Sequence, residues 1–165
     1  MRVLGIDTSL RSSGVAVVES LAGRNTALEY GRIHNLAKLP LSECLRRIDG
    51  GIREIIGRTK PDLAAIEDIF FAKNARTSLV LGEARGVVIA ACASLAIPVY
   101  QYEPRRVKKA IAGNGAADKL QVRKMTMVLL GLKEEPQEDA GDALAIALCH
   151  INSRSPVAEL NPQPL

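Results

Sequence analysis

Asp139 and Asp142 stand three residues apart in Gln137-Glu138-Asp139-Ala140-Gly141-Asp142, ahead of an almost uncharged run from Ala143 to Cys149. On a helix of about 3.6 residues per turn, that spacing sets both carboxylates on one face, one turn apart. The apolar run reads as a buried helix, so the two acids lie at its mouth, where they repel each other and lose hydration. A positive charge between them would relieve both. Two more acids end apolar strands abruptly: Asp7 after Val3-Leu4-Gly5-Ile6, and Glu67 after Leu63-Ala64-Ala65-Ile66. If those strands are parallel neighbours, Asp7 and Glu67 emerge at one sheet edge, where the sites of open α/β sheets gather. A last helix packed there would present Asp139 and Asp142 to them.

Four carboxylates with no His or Cys nearby in sequence make an all-oxygen set, which selects Mg²⁺ or Mn²⁺ over zinc. Two such ions about 4 Å apart activate a water and stabilise the leaving oxygen in phosphodiester hydrolysis. Two divalent cations also bring four negative charges close to neutrality, whereas the acids alone would be driven to protonate. Each acid has a structural reading by itself: Asp7 before Thr8-Ser9 as a turn former, Glu67 as a solvated strand end, Asp139 and Asp142 as favourable charges near a helix N-terminus. The set of four is what points to chemistry.

The elements that must position them follow from periodicity. Val3–Ile6, Val15–Val18 and Thr26–Ile33, joined by the turns Thr8–Gly14 and Ala22–Asn25, read as a three-strand antiparallel meander. Ser42–Arg58 repeats apolar residues at three and four and predicts a helix; Lys60-Pro61-Asp62 ends it. Leu63–Ile66 is a fully apolar strand suited to a parallel pair. Ala75–Leu95 predicts a long helix rich in Gly and Ala, able to approach the sheet or a second subunit closely. Pro98–Tyr102 is a fifth strand, Pro104 opens a short helix, Asp118 opens another, and Gly131–Pro136 is a loop before the acidic-headed helix. The sum is an α/β domain over residues 1–153, a mixed five-stranded sheet of meander plus parallel strands with helices on both faces. Residues 154–165 form a Pro-containing tail expected to be flexible.

The composition of these 165 residues fits one globular domain, and no uncharged run reaches the ~18 residues of a membrane helix. With no signal peptide pattern, a cytoplasmic location and no membrane partner are expected. Cys44, Cys92 and Cys149 match no zinc spacing and read as buried free thiols. The net charge of +4 becomes informative only where cations cluster. They do so in Arg105-Arg106-Val107-Lys108-Lys109, and again at Lys119, Arg123 and Lys124 on one helix side, a pattern that suits phosphate. Phe70 and Phe71, the only phenylalanines, are adjacent in a polar loop with Lys73, and Arg76 follows. Stacking on an unpaired base is one use for such a pair; plugging the core is the other. His34 and His150 read as structural or surface residues.

Gly5-Ile6-Asp7, then Ile66-Glu67-Asp68-Ile69-Phe70-Phe71-Ala72-Lys73-Asn74, then Leu81-Gly82-Glu83-Ala84-Arg85-Gly86, then Asp139-Ala140-Gly141-Asp142-Ala143-Leu144-Ala145-Ile146-Ala147 together resemble the RuvC family, bacterial Holliday-junction resolvases of the ribonuclease-H-like superfamily. The resemblance runs from Val3 to about His150 with the motifs in order. It implies a ribonuclease-H-like fold, catalysis by Asp7, Glu67, Asp139 and Asp142 holding two Mg²⁺ (Mn²⁺ substituting), and basic groove positions at Lys108 and Lys119, the latter set to stabilise charge on the scissile phosphate. It also implies a junction-probing aromatic at Phe70, with Phe71 adjacent, a homodimer making symmetric nicks in four-way junction DNA during recombination and repair, and the RuvA–RuvB branch-migration complex as a partner. Phe71, Lys73, Arg76, Arg105, Lys109 and Arg123 are further candidate DNA contacts on their charge or aromatic character. One departure stands out: Thr8-Ser9 replaces the family's Pro-Gly after the first Asp.

Rival readings are a small actin-like-fold phosphotransferase, suggested by Gly5-Ile6-Asp7-Thr8-Ser9, a non-catalytic junction-binding module, and a related enzyme acting on RNA. The first would need a second glycine-rich phosphate loop and roughly twice the length.

Overall fold

A computed structural model describes residues 1–68, 74–153 and 161–165. The order is β1 (Arg2–Asp7), β2 (Ser12–Leu21), β3 (Arg24–His34), α1 (Leu41–Thr59), β4 (Leu63–Glu67), α2 (Ala75–Ser94), β5 (Val99–Tyr102), α3 (Pro104–Ala112), α4 (Lys119–Leu130) and α5 (Glu138–Asn152). These form one five-stranded sheet in the order β3-β2-β1-β4-β5, antiparallel across β1–β2–β3 and parallel across β1–β4–β5. The expected mixed sheet with helices on both faces is what the chain adopts.

Strand alternation decides which helix each residue meets. Leu4, Ile6, Val15 and Val17 face α1 and α2 in one core, while Val3, Ala16, Val18 and Ala65 face α3, α4 and α5 in the other. Strands β2 and β3 run longer than the apolar residues alone suggest, because pairing reaches back to Ser12 opposite His34 and forward to Leu21 opposite Arg24. The hydroxyl-rich turn therefore ends at Arg11, and Ser12, Ser13 and Gly14 belong to β2. Helix starts follow local chemistry: Asp118 and Gln121 form a reciprocal capping box on α4, and Pro104 sits in the first turn of α3. All three cysteines are buried and free, as expected.

Helix α2 alone among the described helices is long and apolar enough to cross a membrane by length and composition. Its Ala84, Val88, Ala91 and Cys92 pack on the core, while Leu79, Gly82, Gly86, Ala90 and Ala93 are exposed. At the other end of the chain, the Leu165 N–H donates to the Val99 carbonyl, so the final residues touch the edge strand β5.

Helix α5 lies close against the sheet because β1 and β2 present glycine to it. A Cβ built on Gly5 would lie 2.0 Å from the Ala143 carbonyl oxygen and 2.9 Å from the Ala147 nitrogen. These are backbone atoms, so nothing can swing aside. Gly5→Ala is expected to cost about 3 kcal/mol or more and to lower Tm by roughly 6 °C or more. Gly31→Ala, where nothing lies within 4 Å of the new carbon, should stay within about 0.5 kcal/mol of the parent. Thermal melts of the two variants check this contrast; equal stabilities would contradict the packing described.

Candidate active site

The register Ile6 opposite Ile66 in the parallel β1–β4 pair brings Asp7 and Glu67 out side by side at the C-terminal edge of the sheet. Glu67 is in turn opposite Tyr102, the end of β5, from which the chain passes directly into α3. Helix α5 crosses this edge with its first two turns, and α3 and α4 close the far side. The result is a cavity of about 340 Å³ walled by Asp7, Glu67 and Asp142, flanked by Lys108 and Lys119, and floored by Val107, Val122, Ala145 and Ile146.

Asp139 does not line that cavity. It stands beside Asp7 on the β2 side, where its carboxylate accepts a hydrogen bond from the Ser12 hydroxyl. Among the described residues no three acids already close on one point as a coordination set. Asp139 has the Ser12 hydroxyl as its partner, and Asp142 has Lys119 at 3.6 Å.

The electrostatics report the crowding. Burial, then the charges of Asp142, Glu67 and Asp139, push the Asp7 carboxyl up to about 7, with Lys119 opposing weakly. Burial also raises Glu67, reinforced by Asp142 and opposed by Lys119 and Lys108. Asp142 is raised by burial against the pull of Lys119. Lys119 itself is raised, first by its hydrogen bond to Glu138 at 3.1 Å and then by Asp142. Three partly buried carboxylates in one wall favour positive charge beside them. An all-oxygen donor set in that condition fits hard divalent cations.

The basic residues divide by helix face. Lys108 turns into the cavity, whereas Arg105 and Lys109 lie exposed on the outer side of α3. Arg123 pairs with Glu135 at 2.8 Å and approaches Glu138 at 4.0 Å, so on α4 it is engaged within the chain. Arg76 is exposed at the start of α2, beside a separate shallow groove with Ser9, Leu10 and Arg11. Phe70, Phe71 and Lys73 lie outside the described residues.

Three contributors escape sequence reasoning. Ser12 has no motif to mark it. Glu138 is overlooked beside the two aspartates, yet it holds Lys119. His150 is buried and hydrogen-bonded through Nδ1 to the Tyr102 hydroxyl at 2.7 Å, while Arg106 stacks 5.2 Å from the centre of the Tyr102 ring. This chain of contacts ties α5 to the strand end beside Glu67 and to the helix that carries Lys108.

A family model described as crossover junction endodeoxyribonuclease RuvC matches residues 3–150. The chain is 44% identical over 159 residues to the crossover junction endodeoxyribonuclease RuvC of Caldicellulosiruptor saccharolyticus, covering 95% of this chain and 96% of that one. It is 46% identical over 151 residues to the protein of the same name from Chloroflexus aggregans, covering 91% and 92%. Among solved structures, T. thermophilus RuvC in complex with Holliday junction substrate superposes with a TM-score of 0.92 at 34% identity, covering 100% of this chain and 99% of that one. The ordered acidic and glycine motifs, the sheet that carries them and these matches along nearly the whole length make this chain a member of the RuvC family of crossover junction endodeoxyribonucleases.

Proposed function

We propose that this chain is a Mg²⁺-dependent, structure-specific endonuclease that resolves four-way DNA junctions by paired symmetric nicks in recombination and repair. The observation that carries the reading is the cavity where Asp7, Glu67 and Asp142, from two strands and a helix, share one wall under two lysines. Residues Asp7, Glu67, Asp139 and Asp142 would hold the divalent ions, with Mn²⁺ able to substitute. When bound, the ions supply Lewis acidity that activates water and takes up charge on the leaving oxygen.

The chain's own residues do the rest. Burial, and then the charges of Asp142, Glu67 and Asp139, raise the Asp7 carboxyl, so Asp7 is the acid that gains most from a cation beside it. Lys119 sits at the rim with Glu138 and Asp142 as partners, and it donates to the scissile phosphate when DNA replaces Glu138. Lys108 faces the same space from α3. Arg105 and Lys109 extend the cationic surface outward for backbone phosphates, which makes binding strongly salt-dependent. Phe70 is assigned to stacking at the junction on the sequence resemblance, and Lys73 and Arg76, cations near it in sequence, to the strands beside it. The exposed small-residue face of α2, where nothing lies within 4 Å of a Cβ built on Gly82 or Gly86, is the surface a second copy would cover to pair two sites. A cytoplasmic location suits a DNA substrate of a bacterial family. The phosphotransferase alternative lacks support, since the family match spans residues 3–150.

Incubation of the chain with a synthetic four-way junction and with linear duplex, with and without Mg²⁺, tests the activity; cutting is expected only of the junction with metal. Asp7→Asn should bind the junction with unchanged affinity and cut it about a hundredfold more slowly or worse, since even residues that merely support metal ligands matter tenfold to a hundredfold. Near-parental cutting would sink the assignment of Asp7.

The raised carboxyl of Asp7 sets a sign for stability. A folded-state carboxyl raised above its unfolded value binds its proton more tightly when folded. The metal-free chain therefore loses stability as pH rises from about 4 towards about 7, as Asp7 ionises among its neighbours. In EDTA at pH 8, Asp7→Asn should be more stable than the parent by on the order of 3 kcal/mol, with the difference vanishing below about pH 4. Chemical denaturation across pH reads this directly; no gain at pH 8 would mean the acids are not crowded.

Gly86→Arg, on the outer face of α2, should convert a dimer to a monomer in sedimentation and replace paired nicks by single ones. A dimer unaffected by that change places the second copy elsewhere.

A further inference from the structure

We propose that Ser12 is a positioning residue for Asp139, fixing its carboxylate so that one oxygen stays free for the catalytic metal. The inference rests on reading Asp139 as a metal ligand and adds the residue that orients it.

Ser12 is the first residue of β2, and its hydroxyl donates to Oδ2 of Asp139 in the first turn of α5. Ser12 and Gly14 are alternate residues of one strand and so point to the same face. Gly14 leaves room for the Asp139 main chain: a Cβ there would lie 1.9 Å from the Asp139 carbonyl oxygen and 2.4 Å from its carbonyl carbon. One strand end therefore holds Asp139 twice, the backbone by close approach to Gly14 and the side chain by the Ser12 hydroxyl.

The need for such a hold comes from the helix. Asp139 lies in the first turn of α5, whose N-cap residue Gln137 makes no side-chain capping bond. Backbone N–H groups of a first turn attract a nearby carboxylate, and the helix dipole favours the same inward turn. Folded onto its own helix, Asp139 would be lost to the site. The Ser12 hydroxyl draws it towards β2 and the end of β1, where Asp7 lies opposite Gly14. With Oδ2 engaged by Ser12, Oδ1 is left for a cation. A hydroxyl is neutral, so it orients the carboxylate without competing for its charge, as a lysine would.

The test uses a matched pair, Ser12→Thr and Ser12→Val, which differ by one hydroxyl on the same shape, together with Ser12→Ala. Calorimetric titration of the full chain with Mn²⁺ should give affinity about tenfold weaker for the Ala and Val variants, and close to parental for Thr. Half-saturating Mg²⁺ for junction cutting should rise by a similar factor, with the rate at saturating Mg²⁺ and junction affinity in EDTA little changed. Equal Mn²⁺ affinity for the Thr and Val variants overturns the proposal. Asp139→Asn separates the two levels: if it leaves Mn²⁺ affinity at the parental value, Asp139 is no ligand and the reading beneath the proposal fails. If it weakens binding while Ser12→Val does not, only the positioning role fails.

Discussion

The arrangement depends on how near helix α5 comes to strands β1 and β2. Backbone meets backbone at Gly5 with Ala143 and at Gly14 with Asp139, and no side chain intervenes. That approach pushes the first turns of α5 over the strand end that bears Asp7. A helix set back by one methyl layer would leave Asp7 and Asp142 further apart and better hydrated, and their mutual repulsion would fall accordingly. Burial of Asp7, and after it the nearby charges of Asp142, Glu67 and Asp139, raise its carboxyl to about 7, and the close approach of α5 at the two glycines contributes to both. It also opposes stability in the metal-free chain, because ionised acids held together resist folding. Apolar packing on both faces of the sheet must outweigh that opposition, and α5 supplies much of it through Ala143 to Cys149, all buried.

The cationic side is built differently. Lys119 and Arg123 stand on a helix surface, pair with Glu138 and Glu135, and remain well solvated at the lysine end, with 67% of the Lys119 side chain exposed. Exposed pairs of this kind contribute little to stability, so Lys119 can exchange Glu138 for another anion at small net cost. Lys108 instead sits on a helix anchored from below, through Tyr102 packed against His150 and under Arg106. The acids are thus carried by the sheet and α5, Lys108 by a helix anchored at the strand-to-helix junction, and Lys119 by a helix surface where it can change partners. A rigid acidic wall facing an adaptable basic rim suits a substrate whose phosphate must be drawn in from solution.

Much of this was legible before any coordinates. Asp7 and Glu67 announce themselves because each ends an uninterrupted apolar strand, and a parallel pairing of those strands leaves no other place for them. The meander and the two sheet faces follow from alternation, and α5 from an apolar run headed by acids. The bounds of β2 and β3 were less legible, since Ser12, Ser13 and the ends of β3 owe their strand conformation to pairing partners rather than to their own preferences. The exposed apolar face of α2 was equally hidden: its small residues fit burial and exposure alike, and only the packing of Ala84, Val88, Ala91 and Cys92 says which side is inside.

What stayed hidden about the site has one physical character. Ser12, Glu138, Tyr102 and His150 act through contacts to residues distant in the chain, separated by 127 positions for Ser12 with Asp139 and 48 for Tyr102 with His150. A hydroxyl at the start of a strand is chemically ordinary, and its partner is decided by register, helix placement and the absence of a Cβ two residues on. A carboxylate that ends an apolar strand differs, because burying negative charge is costly enough that its position already demands explanation. Sequence therefore discloses the groups whose burial is unfavourable alone and conceals those that make that burial tolerable. Asp7 and Glu67, each ending an apolar strand, belong to the first kind. The hydroxyl that steadies Asp139 belongs to the second, and only the fold could bring it forward.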